Sequence, residues 1–156
     1  ETLGETVERR SKEASNHVRR VANISYELAL RIGLSEEEAV LVRNASPMHD
    51  VGKIGIRDSI LLKPDILNEE EFEIMKTHAA IGRDILNHSH RPVLQAASII
   101  AYEHHEKYDG TGYPNKVKGD DIHIYGKETN KHFDGKLVKI LLDNIDFFKG
   151  IVDNDQ

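Results

Sequence analysis

Val18, Val21, Ala22, Ser25, Leu28, Ala29 and Ile32 recur at helical spacing and stop at Gly33. That pattern predicts one long amphipathic helix and offers no alternation that a strand could use. The same period continues along the chain. Ser35-Glu36-Glu37-Glu38 has the form of a capping box and predicts a second helix through about Ala45. Ser46-Pro47 then predicts a fresh N-cap and first helical position, so that Met48-His49-Asp50 begins a new short helix. Asn68 with Glu69, Glu70 and Glu71 predicts another cap, for a helix carrying Phe72, Met75 and His78 that Ile81 and Ile85 continue or resume. Pro92 opens a helix predicted to run past His104 and His105 to a stop at Asp109-Gly110. Asp134 predicts the cap of a last helix, with Leu137, Ile140, Leu141, Ile145 and Phe148 on one face. About six helices, with no alternating strand and no internal repeat, predict an all-α, single-domain helical bundle over residues 1–156.

Charge and cysteine usage narrow the chemistry. Twenty-seven acidic against 21 basic residues leave a net charge of −6, which gives no electrostatic footprint for gripping a nucleic acid polymer. A small phosphate ligand stays compatible with that charge, because bound divalent cations supply a local positive field. There are no cysteines, so a disulfide scaffold and thiolate metal ligands are both excluded. No apolar run approaches the roughly 18 residues of a membrane span, and no signal peptide is read ahead of the first helix, so a cytoplasmic protein is expected. The opening ETLGETVERRSKEASNHVRR is a charged helical register without a starting methionine, and a domain excised from a longer protein is expected.

Nine histidines are an over-supply, and several stand near a carboxylate or another histidine. Glu13 and His17 are four apart, on one helical face. His49-Asp50 is followed by Val51-Gly52-Lys53, His78 lies in MKTHAAIG, and His104-His105 are adjacent. Each piece alone is weak, since a single helical histidine is more often a surface or hydrogen-bonded core residue than a ligand. Neighbouring side chains diverge by about 100° on a helix, so His104 and His105 predict ligands to different ions.

If Glu13, His17, His49, Asp50, His78, His104 and His105 converge, their number exceeds what one ion with an open position accepts, and at least two ions follow, with Asp50 the natural bridge. Nitrogen and oxygen ligands rich in imidazole suit iron or manganese first and zinc next, and argue against magnesium or calcium. Two close divalent ions would lower the pKa of a shared water and clamp the oxygens of a phosphoryl group, which makes metal-assisted phosphoester hydrolysis the expected reaction class. Lys53, about a turn after the His-Asp pair, would neutralise a non-bridging phosphate oxygen, although a surface lysine is the plainer account of it. His88, His90, His123 and His132 are expected to be surface residues.

The segments MHDVGKIGI, LLKPDILNEEEFEIMKTHAAIG and HHEKYDGTGYP, preceded by NHVRRVA with Glu13 before it, resemble in order and spacing the HD-GYP subgroup of the HD phosphohydrolase superfamily. The resemblance covers about Arg10 to Gly126. It implies an HD-type helical fold and a bacterial phosphodiesterase that hydrolyses cyclic di-GMP to linear pGpG and on to GMP. It also implies two or three metal ions held by the seven residues named above, with Lys53 near the scissile phosphate. Gly112-Tyr113-Pro114 matches the loop that names the subgroup, implied to contact partners or to rim the site. Members usually act as C-terminal output domains behind a receiver or sensor domain, with diguanylate cyclases among the implied partners and a homodimer among the states left open.

Three departures stand out. Arg57 and Asp65 occupy positions where the family commonly has proline and glycine, and little chemical effect is expected. After DIHIYG the family continues with a helix carrying a further metal-binding aspartate, then with basic residues for the substrate phosphate. This chain instead passes from Gly126 to KETNKHFDGKLVKILL, so a helix-length segment is expected to be missing there, either omitted from the sequence, the favoured expectation, or truly deleted. Asp143-Asn144-Ile145-Asp146 echoes the missing pattern but aligns with the terminal helix. The missing aspartate keeps a second class of function open, a catalytically silent docking module for signalling partners, and hydrolysis of another cyclic nucleotide is a third.

Overall fold

The structure, a computed structural model, describes residues 15–128 and 135–153. Among these the chain forms only helices and turns. Helix α1 (Ser15–Arg31) is the long amphipathic element that the periodicity predicts, and Gly33 ends it at φ 98°, a left-handed conformation that glycine adopts without a Cβ clash. Helix α2 (Glu36–Ala45) starts from a complete capping box, with the Ser35 hydroxyl accepting from the Glu38 amide and the Glu38 carboxylate accepting from Ser35 N–H. It lies against α1.

The next segment differs from the expectation. Ala45, not Ser46, precedes the short 3₁₀ helix Ser46–Met48, and the buried Ser46 hydroxyl caps nothing. His49 and Asp50 therefore sit on a turn between that helix and a second 3₁₀ helix, Val51–Gly55. A turn lets adjacent side chains reach one place, which a regular helix would not allow.

Helix α3 (Asp58–Leu61) is short, and α4 (Glu69–Lys76) begins at the predicted Asn68 cap, which Glu71 completes as a capping box. A break at Thr77, whose hydroxyl donates to the Ile74 carbonyl, separates α4 from α5 (His78–Leu86), so the helix resumes and does not continue. Pro92 opens α6 (Pro92–Glu103) as expected, but this helix ends at Glu103, and His104 and His105 stand on the turn beyond it. Helices α5 and α6 pack together with the Val51–Gly55 segment against α5, over a core of Ala45, Val51, Leu86, Ala97, Ile100 and Ala101.

Helix α7 (Ile124–Glu128) packs on α6 and runs unbroken through Gly126 and Lys127. The predicted cap Asp134 lies outside the described residues. The terminal helix is two helices, α8 (Gly135–Asp143) and α9 (Ile145–Asp153), divided where the Asn144 amide donates to the Ile140 carbonyl. Leu137 and Phe148 bury against Leu28 of α1, and the Arg31 guanidinium lies 4.5 Å from the Phe147 ring centre. This second cluster ties α1 to the C-terminal helices, while α1 also lies against α2.

Candidate metal centre

Three elements meet at Asp50. Its turn brings His49 beside it, the first residue of α5 supplies His78, and the turn after α6 supplies His104 and His105. Gly52 makes this approach possible: a Cβ there would lie 1.9 Å from the His78 carbonyl oxygen, so only a bare backbone lets the Asp50 segment close on α5.

The imidazole orientations are fixed from behind. Nδ1 of His49 donates to the Ser46 carbonyl at 2.9 Å, Nδ1 of His78 to the Met75 carbonyl at 2.7 Å, and Nδ1 of His104 to the Ala101 carbonyl at 3.0 Å. A carbonyl oxygen only accepts, so in each ring the Nδ1 carries the proton and a neutral ring presents a bare Nε2 lone pair. Those Nε2 atoms converge on one carboxylate. His49 Nε2 is 3.1 Å from Asp50 Oδ2, while His78 and His104 Nε2 are 3.3 and 3.6 Å from Oδ1. Asp50 Oδ1 is buried without a hydrogen bond. Lone pairs aimed at a carboxylate repel unless a cation stands among them, and imidazoles tied through Nδ1 to carbonyls are the arrangement by which proteins orient metal-binding histidines.

One ligand atom each from Asp50, His78, His104 and His105 lies within 4.8 Å of the others, a donor set of nitrogen and oxygen that fits a divalent ion. The His104 and His105 rings are 4.0 Å apart, so the expected divergence of these neighbours does not occur. The helical rotation that predicts it ends at Glu103.

Charge follows the same geometry. Burial alone would raise the Asp50 carboxyl, but its contacts with His104, His49 and His78 hold it far below the usual carboxylate range. Burial pushes His104 down to about 4 and His105 down to about 2, the latter helped by the neighbouring imidazoles, which keeps both rings neutral and free to coordinate. His49 is opposed by burial yet raised by the Asp50 carboxylate.

The other sequence candidates fall around this floor. His17 is exposed on α1, its ring 6.1 Å from that of His49, and lines the same cleft. Glu13 lies outside the described residues. Lys53 Nζ is 2.8 Å from Asp50 Oδ2. Gly112 packs so closely that a Cβ would lie 2.4 Å from the Lys107 amide nitrogen, and Tyr113, joined to Pro114 by a cis bond, stacks on His105 at 4.5 Å. The loop is therefore a wall of the cleft. His88, His90 and His123 are exposed, as expected, and His132 lies outside the described residues.

Sequence reasoning missed Glu106. It is fully buried, and its carboxylate accepts from the Asn115 and Lys116 amides at 2.6 and 3.0 Å, fixing the return of the loop where Lys116 adopts φ 58°. An acidic residue directly after paired histidines reads as a solvated helix end, and only the turn turns it inward. Phe72, Lys76 and Tyr113 complete an open cleft of about 1060 Å³ over the Asp50 floor.

Residues 1–127 match the HD domain family model. Among curated relatives, a 3'3'-cGAMP-specific phosphodiesterase of Vibrio cholerae is 42% identical over 181 positions, covering 96% of this chain and 35% of the relative. A cyclic di-GMP phosphodiesterase of Thermotoga maritima is 48% identical over 126 residues, covering 81% of this chain and 34% of the relative. The cyclic di-GMP phosphodiesterase response regulator RpfG of Xanthomonas campestris is 42% identical over 77% of this chain and 32% of its own length. The chain spans about a third of the length of these relatives. The 181 positions aligned with the first relative exceed the 156 residues of the chain, so at least 25 of them (181 minus 156) have no counterpart here. Among the described residues no helix is long and apolar enough to cross a membrane.

Proposed function

Because the chain belongs to the HD-domain family, we propose that it is a metal-dependent phosphodiesterase of the HD-GYP type that opens cyclic di-GMP to linear pGpG and on to GMP. The observation that carries this reading is the convergence of three Nε2 atoms, each with its Nδ1 proton tied to a carbonyl, on the buried Asp50 carboxylate at the floor of an open cleft. When bound, divalent ions supply a hydroxide at neutral pH and draw charge from phosphoryl oxygens. Asp50, His49, His78, His104 and His105 would hold the centre, and the family resemblance adds His17 and Glu13 to the ligand set. Iron or manganese suits these donors best.

The chain's own residues do the rest. Hydrolysis adds water across one P–O bond and returns a proton to the leaving ribose oxygen. Lys53, whose Nζ stands 2.8 Å from Asp50 at the floor of the cleft, neutralises a non-bridging phosphate oxygen as charge develops there. Tyr113 covers the outer face of His105 and keeps water from that ring. The positions of the first relative that have no counterpart here accord with the helix-length segment expected to be missing after Gly126, whether omission or deletion accounts for it. An upstream receiver or sensor domain and a diguanylate cyclase partner remain part of this reading; the response-regulator relative supports the former.

A second substrate is favoured by a specific observation. The relative covering 96% of this chain carries the name of a 3'3'-cGAMP-specific enzyme. Protein loaded with iron(II) or manganese(II) without oxygen is therefore assayed by chromatography on cyclic di-GMP and 3'3'-cGAMP. Consumption of cyclic di-GMP, abolished in His49→Ala and Lys53→Ala chains that stay helical, supports the proposal. Preference for the mixed dinucleotide favours the second substrate, and no consumption of either by metal-loaded protein overturns both.

A further inference from the structure

Helix α4 buries none of its residues fully, yet it carries Phe72 with 46% of its surface exposed. A half-exposed phenyl on a polar helix gains little from folding, so its packing does not explain it. Its surroundings do. The Phe72 ring stands 6.5 Å from Tyr113 in an edge-to-face arrangement, and Lys76 Nζ lies 4.8 Å from the centre of Phe72 and 5.7 Å from that of Tyr113. Glu73 holds this ammonium in place at 2.5 Å. All four side chains line the cleft whose floor is Asp50.

Tyr113 already has one face against His105, and Phe72, with Lys76 over one side of its ring, still leaves aromatic surface exposed at the rim. We propose that Phe72, braced by Tyr113 and Lys76, is a stacking platform for one purine base of the substrate. This rests on the reading of the cleft as a cyclic dinucleotide site. Every base has a π-face, and stacking on an aromatic side chain binds it whatever its edge pattern. A cyclic dinucleotide with its phosphate over the floor must project its bases toward the rim, where Phe72 stands.

The test is titration calorimetry of a non-hydrolysable phosphorothioate analogue of cyclic di-GMP with metal-loaded protein, alongside turnover of cyclic di-GMP by the same enzyme. Phe72→Leu keeps an apolar side chain of similar size, and Phe72→Trp keeps and enlarges the π-face. The expected result is a Kd about tenfold weaker for Phe72→Leu and within about twofold of the parent for Phe72→Trp. A Phe72→Leu chain that binds like the parent overturns the platform, and so does equal loss in both variants. Either can occur while turnover stands, which leaves the proposed activity intact. Stacking-dependent binding without turnover supports the platform and overturns the activity, whereas a parent that does not bind overturns the platform.

Discussion

The Nε2 atoms of His78 and His104 face each other at 3.2 Å, although each ring already donates its Nδ1 proton to a backbone carbonyl. Two neutral rings in that state present lone pair to lone pair beside the Asp50 carboxylate. A divalent cation removes the conflict, so metal binding contributes folding stability. At a free metal concentration a hundred times Kd the gain is about 2.7 kcal/mol. Stripping the protein with a chelator should lower its melting temperature, and adding back manganese(II) or iron(II) should restore it. Scanning calorimetry checks this, and an unchanged melt in metal-free protein would contradict it.

Asp50→Asn keeps the side-chain shape and removes the negative charge that the centre is built around. Metal content is expected to fall at least tenfold, with turnover lost in proportion, while the far-ultraviolet circular dichroism stays helical. Elemental analysis per chain reads the first effect directly. A His88→Ala control, changing an exposed histidine remote from the cleft lining, should retain full metal content.

The helix-building signals were legible because they are local. The Ser35 capping box, the Asn68 cap, the Gly33 stop and Pro92 each act within a turn, and each stands in the structure where the sequence predicts it. The candidate ligands were legible for a different reason, since histidines beside acidic residues are chemically conspicuous wherever the chain puts them. What stayed hidden depends on tertiary closure. His104 and His105 come together because α6 ends one residue before them, an end that nothing at Glu103 announces. Glu106 turns inward only because the loop folds back over it, and a carboxylate in a polar run carries no sign of that.

Glu106→Ala should cost about 1–3 kcal/mol, the range for leaving buried hydrogen-bonding groups without a partner. The orphaned groups would be the Asn115 and Lys116 amides, and without their acceptor the left-handed Lys116 backbone loses its restraint. Glu106→Gln keeps an acceptor oxygen and should cost less. Denaturant titration ranks the variants, and amide exchange at Asn115 and Lys116 should accelerate in the alanine variant before global unfolding.

Two glycine-to-alanine changes should move stability in opposite directions. At Gly52 the new methyl would lie 1.9 Å from the His78 carbonyl and 2.5 Å from the Gly82 nitrogen, both backbone atoms that cannot rotate aside. The Val51–Gly55 segment must then separate from α5, which opens the contact that sets Asp50 against His78. Overpacking of this kind costs about 1–3 kcal/mol or more, and metal affinity should fall with it. At Gly150, inside α9, nothing lies within 4 Å of the added methyl. There alanine only reduces the backbone freedom of the unfolded chain, and a gain of about 0.5–1 kcal/mol is expected with metal affinity unchanged. Parallel urea melts and metal titrations of the two variants separate a site held by backbone contact from a helix that is merely short of propensity.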